Sequence, residues 1–200
     1  LAALAATAMG VMAAAGQEYL TLRPVRHRGH FIQVTTTFGV AVVLRGITLI
    51  VAGKDPLSLP GFSGDGALTV AGAIIPIQSV WVWVATAILL AGTFGFMRYT
   101  ATARALRACS INLQAARLMA VNAERLRVSL FAVGGGTGAL AGIVITPIIL
   151  ASWDAGVTYS IKGFVGAILG GFRSPTRAVL GGLGIGVIES LGAGYISSGW

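Results

Sequence analysis

The sequence predicts an all-α fold: a polytopic, α-helical integral membrane protein whose glycine-rich transmembrane helices pack closely. Three observations predict it. Hydrophobic residues make up 56% of the chain and charged residues only 10%, where soluble domains carry about 25% charged residues. The mean hydropathy is +0.85. The apolar residues gather into runs of the length that crosses a bilayer, about 20 residues, and the intervening segments hold most of the charge. The third observation is the 29 glycines, since glycine is commoner in membrane helices than in soluble ones.

The first run, Leu1 to Gly16, begins without methionine and without a basic leader, so it does not read as a signal peptide. The chain reads instead as a single transmembrane domain over residues 1–200, cut short at both ends. Further runs are Phe31 to Gly53, Val80 to Met97, Val128 to Ala151, a broken region from Ala155 to Phe172, and Ala178 to Ser198. They make about six crossings. Lys162 interrupts the broken region, and Gly163 to Gly171 is too short to span alone, so an interrupted crossing and a re-entrant half-helix both fit. Between the second and third runs, Pro56, Pro60, Gly61 and Gly64 form turns ahead of Leu68, Val70 and Ile74, a pattern that fits a short hairpin.

Charge orients the runs. Arg23, Arg26 and Arg28 lie in the segment 17–30, and Arg98, Arg104, Arg107, Arg117, Arg125 and Arg127 lie in 98–127. The segment between, 54–79, holds only Lys54 as a base. Basic loops stay on the cytoplasmic side, so the two arginine-rich segments are expected inside and 54–79 outside. A net charge of +8 would suggest nucleic acid in a soluble protein; here its distribution in loops makes membrane lipid the expected neighbour, with no nucleic acid. The single cysteine, Cys109, excludes an internal disulfide and reads as an unreactive thiol.

The stretch FAVGGGTGALAG at 131–142 admits two readings. Gly134, Gly136 and Ala139 match a dinucleotide fingerprint, and Asp154 follows at the spacing of a ribose-binding acid. That site needs a soluble crossover helix with a polar face, whereas Val128 to Ser152 contains no charged residue. Within a membrane helix, Gly134, Gly138 and Gly142 recur every fourth residue and form a smooth stripe for close helix packing. The last run repeats the device with Ala178, Gly182, Gly186, Ser190 and Gly194.

Two charges stand inside runs. Arg45 and Glu189 would each cost about 2.5–3.5 kcal/mol on insertion, so each is a candidate for a translocation path. Arg45 has an alternative in snorkelling outward. His27 and His30 have a metal-pair spacing, but the surrounding arginines favour a basic interfacial loop. No metal and no cofactor is expected.

The segment 98–127 is too long and too well patterned for a connector. Asn112 can cap a short helix of Leu113, Gln114, Ala115, Ala116, Arg117, Leu118 and Met119, and Asn122 can end it through a left-handed turn. Exposed leucine and methionine on a basic loop suit a docking element; a helix lying on anionic lipid is the alternative.

These residues carry a resemblance. LRACSINLQAARLMAVNAERLRVSLFAVGGGTGALAG is similar to the cytoplasmic loop and following helix of the permeases of branched-chain amino-acid ABC transporters. QEYLTLRPVRHRG resembles the family's earlier basic loop, and KGFVGAILGGFRSPTRAVLGGLGIGVIESLGAGYISSGW its glycine-rich C-terminal region. The resemblance implies a bacterial inner-membrane pore subunit that works with a second permease subunit, two cytoplasmic ATP-binding subunits and a periplasmic substrate-binding protein. It also implies that Asn112 to Asn122 form a coupling helix seated in the ATPase. Family members usually have glycine at Ala120 and an uncharged polar residue near Arg45. The cargo so implied is a branched-chain or related hydrophobic amino acid; related permeases carry urea or short amides. The chain has no GxxxxGK[ST] phosphate loop, so ATP hydrolysis is expected in the partners. A membrane enzyme would need converging acid, base or nucleophile groups that the runs do not offer. A passive channel would not need the docking loop.

Overall fold

The computed structural model describes residues 1–25, 29–62, 64, 66–70, 73–119, 121–171 and 175–195. Arg26, His27, Arg28, Ala120 and Arg173 lie outside the described residues, as do the side chains of His30, Leu68, Val70, Ile74, Leu113 and Arg117. The chain forms two compact units, Leu1–Ala151 and Ser152–Trp200.

In the first unit, α1 (Ala2–Gln17) continues through a π-helical stretch, Glu18–Leu22, into the short α2 (Arg23–Val25). The helix α3 (His30–Ala52) leads to an antiparallel hairpin of β1 (Ala67–Val70) and β2 (Ala73–Pro76), in the register Ala67 to Pro76 and Val70 to Ala73. Then follow α4 (Ile77–Tyr99), α5 (Ala101–Ile111), α6 (Leu113–Leu118) and α7 (Ala123–Ile149). The second unit is a helical hairpin of α8 (Ala155–Leu169) and α9 (Pro175–Tyr195).

Among the described residues, four helical segments are long and apolar enough to cross a membrane: Phe31–Ala52, Ile77–Tyr99, Ala123–Ile149 and Thr176–Tyr195. The 15-residue α8 is apolar but shorter, about 22 Å at 1.5 Å per residue. Among the described residues, no break interrupts α8. α8 runs unbroken past Lys162 to Leu169, and Gly171 just beyond it has a φ of 73°, which suits glycine.

Among the described residues the buried hydrophobic side chains are Ala103 and Ala116, both small. Bulky residues such as Phe38, Trp83, Ile88, Leu180 and Ile188 face outward, the reverse of a soluble core and the arrangement a lipid solvent permits. Polar groups on the spans are satisfied locally: Thr36, Thr48, Thr93, Thr137 and Thr146 each donate a hydroxyl to the carbonyl four residues back.

Close helix contact depends on small residues, though not on the stripe expected in α7. A Cβ placed on Gly10 would lie 2.7 Å from Ala139 Cβ, and one on Gly135 would lie 2.5 Å from Ala14 Cβ and strike the Gly10 carbonyl. The α1–α7 contact therefore runs through Gly135 and Ala139. Gly134, Gly138 and Gly142 have open space beside them within the chain. One residue rotates a helix position by about 100°, so α1 has docked on the adjoining face. In the second unit, Gly170 lies against the Ala178 backbone and Gly166 against Gly182, while Gly186 and Gly194 face open space. Thus α9 meets α8 through Ala178, Gly181 and the Gly182 backbone, while a Cβ on Gly182 itself would point into open space, as on Gly186 and Gly194.

Gly135→Val is expected to part α1 from α7 and to lower the unfolding free energy of the full-length protein in detergent by about 2 kcal/mol. Gly138→Ala should leave stability unchanged or raise it by up to about 1 kcal/mol, the helix-propensity gain. Equal losses in thermal unfolding from both variants would refute the assigned face.

Candidate functional site: a docking helix and the charged rim beside it

The segment between α4 and α7 is built by capping. Thr100 ends α4 and starts α5, its hydroxyl oxygen accepting from the Ala103 amide at 3.3 Å. Arg104 Nη1 donates to the Tyr99 carbonyl at 3.3 Å, and Arg107 Nη2 donates to the Met97 carbonyl. Two guanidinium groups thereby cover the carbonyl end of α4, where the helix dipole is negative. No such return was evident in the sequence, which gave no separate α5.

Asn112 caps α6 as its sequence position predicts. Its Oδ1 accepts from the Gln114 and Ala115 amides, each at 3.0 Å. Ala116 is buried at 5% exposure, whereas Leu118 and Met119 stand 89% and 80% exposed. The other expected docking residue side chains, Leu113 and Arg117, lie outside the described set.

Asn122 does not end α6. It has φ −83°, not a left-handed conformation, and caps the N-terminus of α7, accepting from the Glu124 and Arg125 amides at 3.1 Å each. The physical reason is that an asparagine oxygen serves the free amides ahead of it better than the carbonyls behind it. The chain leaves α6 through a wider turn, in which the Val121 amide donates to the Ala116 carbonyl at 3.1 Å.

Just past this cap, Glu124 Oε2 accepts from Arg23 Nη2 at 3.0 Å, and the Arg23 guanidinium lies 5.0 Å from the Tyr19 ring centroid. These contacts bound a cleft of about 450 Å³, lined by Glu18, Tyr19, Arg23, Asn122, Glu124 and Arg125 among others. Glu18 is 5% exposed. The pairing joins the two arginine-rich segments that charge alone assigned to one side of the membrane.

The other end of α7 is tied to the segment 54–79. Leu57 and Ala151 exchange backbone hydrogen bonds of 3.0 and 2.8 Å. Gln78, 8% exposed, accepts from the Phe62 amide at 3.1 Å and donates to the Val144 carbonyl at 3.0 Å. Gln78 was passed over in the sequence, although an amide at the start of an apolar span is itself a signal, because only bonding could hold it there. The unit accordingly has one arginine-rich rim and one whose sequence carries Lys54 as its only base.

The two charges expected along a path lie in different units. Arg45 is half-buried on α3. Glu189, on α9, accepts from Lys162 Nζ on α8, and this ammonium lies 5.9 Å from the Tyr159 ring. Among the described residues, no three His, Cys, Asp or Glu side chains gather as a metal site.

Apolar helices with outward-facing bulk, and arginines gathered mainly in two connecting segments, define a polytopic helical membrane protein. The chain belongs to the family described as "Branched-chain amino acid transport system / permease component", which matches residues 1–200. It is similar to the high-affinity branched-chain amino acid transport system permease protein LivH of Escherichia coli K12, 30% identical over 193 residues, covering 90% of this chain and 60% of that protein. LivH of Salmonella typhimurium matches at 30% identity over 192 residues with the same coverage. BraD of Pseudomonas aeruginosa, a permease protein of the same kind of transport system, matches at 30% identity over 187 residues, 88% of this chain and 59% of that protein. The chain thus spans about 60% of the length of the curated relatives it matches. No solved structure matches it significantly.

Asn122→Ala removes the acceptor for two free amides at the start of α7 and should cost about 1 kcal/mol. Amide hydrogen exchange at residues 123–126 is expected to quicken about fivefold with residues 135–145 unchanged; uniform exchange in the two segments would refute the local role.

Proposed function

We propose that the chain is a permease domain of a bacterial inner-membrane ABC importer, forming part of the translocation pathway for branched-chain or related hydrophobic amino acids. Separate cytoplasmic ATP-binding subunits drive it, a second permease subunit completes the pathway, and a periplasmic substrate-binding protein delivers cargo. The names of the relatives support this reading, each being a branched-chain amino acid transport permease protein. The observation that carries it is α6: a capped helix on the arginine-rich rim that presents Leu118 and Met119 to solvent and leads within a few residues into α7.

On this reading Asn112 to Asn122 form the coupling element, with Leu118 and Met119 as anchors in a groove of the ATPase. Closure of the ATP-binding subunits moves α6, and the glycine-lined helices rock between arrangements open to one side and then the other. The open stripe of Gly134, Gly138 and Gly142 is then available for close packing against another permease helix, as is Gly194. Gln114, Ala115 and Arg117 contribute to the docking face, and the arginine-rich rim faces the cytoplasm.

The test uses the full-length chain with its partner subunits in the native membrane. In a Cys109→Ser background, Met119→Cys is expected to form crosslinks with an ATP-binding subunit. Leu118→Asp combined with Met119→Asp is expected to lower ATP-driven uptake about thirtyfold, as removal of a hot-spot anchor worth about 2 kcal/mol would, with the chain still in the membrane. Failure to capture an ATPase at Met119, together with full uptake in the double variant, would overturn the docking assignment. Uptake in liposomes without the ATPase subunits would make the protein a channel.

A further inference from the structure

The second unit places a base and an acid midway along an apolar hairpin. Lys162 lies at the centre of the 15-residue α8, and Glu189 lies two turns from the end of the 21-residue α9. Each is among the most expensive side chains to insert into a bilayer. Pairing them removes the net charge from this part of the hairpin. It does not explain why they are there, because an apolar pair of similar volume serves a helix contact equally well or better.

The surroundings of the pair point to a ligand. Gly170 meets Ala178 and Gly166 meets Gly182, so the antiparallel register places Gly186 across from Lys162. A Cβ on Gly186 would find nothing within 4 Å, and Lys162 reaches past it to Glu189, almost a turn further along. The two charged side chains therefore border open space, with 42% and 54% of their surfaces accessible. Tyr159, one turn before Lys162, presents its ring to the ammonium.

We infer that the Lys162–Glu189 pair is a recognition site for the two charges of a zwitterionic amino acid. The ligand carboxylate takes the Lys162 ammonium, the ligand ammonium takes the Glu189 carboxylate, and the internal pair opens to admit them. The exchange converts one ion pair into two and leaves no charge uncompensated in low dielectric. A solute with a single charge would strand one member of the pair, and an uncharged solute could not open it. The inference rests on the proposed function and supplies its missing element, the group that distinguishes an amino acid from a neutral cargo.

The experiment uses the full-length chain assembled with its partner subunits in proteoliposomes and radiolabelled leucine as the probe. Lys162→Met with Glu189→Leu is expected to reach the membrane in normal amount and to lose leucine uptake about tenfold or more, a loss corresponding to about 1.4 kcal/mol. Lys162→Arg with Glu189→Asp keeps both charges and should retain uptake within about threefold. In a Cys109→Ser background, thiol labelling of Gly186→Cys should be slowed by saturating leucine, and this protection should vanish in the apolar double variant. Wild-type uptake by the apolar variant, or labelling of Gly186→Cys indifferent to leucine, overturns the inference while leaving the proposed function intact. Absence of the apolar variant from the membrane makes the pair a folding element and also overturns it. A wild-type transporter that carries an uncharged amide and no amino acid overturns the proposed cargo, and the inference with it.

Discussion

Lipid solvates a leucine as well as a neighbouring helix does, so burial of apolar bulk cannot hold these helices together. The chain is arranged around that constraint. Where helices touch, the contact is made by backbones, at Gly10 and Gly135 in the first unit and at Gly166 and Gly182 in the second. Close approach multiplies weak dispersion contacts and brings Cα hydrogens within reach of carbonyl oxygens. The large side chains are left to face outward, where lipid or another subunit covers them. A soluble protein built this way would aggregate.

The same constraint governs the polar groups. A hydroxyl in hydrocarbon must find an acceptor, and the threonines of α3, α4 and α7 find theirs one turn back on their own helix. Gln78 has a longer reach and spends both ends of its amide on neighbouring segments, making it a fastening between the start of α4 and the end of α7. The ion pairs divide by position. Arg23–Glu124 lies on the arginine-rich rim with about two-fifths of each side chain exposed, and such pairs contribute about 0.2–1 kcal/mol. Its importance lies in alignment, since it joins two segments a hundred residues apart in sequence. Lys162–Glu189 lies within apolar helices, where separating the charges without replacement partners is far more costly.

How much of this was legible in the sequence follows from the range of each signal. The apolar runs marked the long helices to within a few residues, because a bilayer imposes length and composition locally: Phe31 to Gly53 became His30–Ala52, and Val128 to Ala151 became Ala123–Ile149. The Asn112 cap was legible for the same reason, as it concerns three consecutive residues. The helix face that meets α1 was not, since Gly134 and Gly135 differ by one step of rotation and only the position of α1 selects between them. Nor was the partner of Glu189. Lys162 read as a disruption because its compensating charge lies 27 residues away, a pairing that exists only once the hairpin has closed. The role of Asn122 is not legible either, because the short link between α6 and α7 makes one asparagine a candidate for ending the first helix or starting the second.

That short link bears on how a displacement could pass from the rim into the membrane. The Val121 amide bonds back to Ala116, and Asn122 bonds forward to Glu124 and Arg125, so hydrogen bonds bridge the connection from both sides. Little slack remains between the exposed end of α6 and the first turn of α7. From there α7 runs for 27 residues, about 40 Å, in contact with α1, α4 and α5, and ends where Leu150 adopts a φ of 63° before the bridge between Ala151 and Leu57. A non-glycine residue in that conformation stores about 1–3 kcal/mol of strain and persists only when its surroundings fix it. The bridge and the Gln78 bonds are the surroundings that do so. α7 is therefore held at both rims and meets α1 on a surface of glycine and alanine. A helix fastened at both ends in this way is positioned as one rigid body between its neighbours.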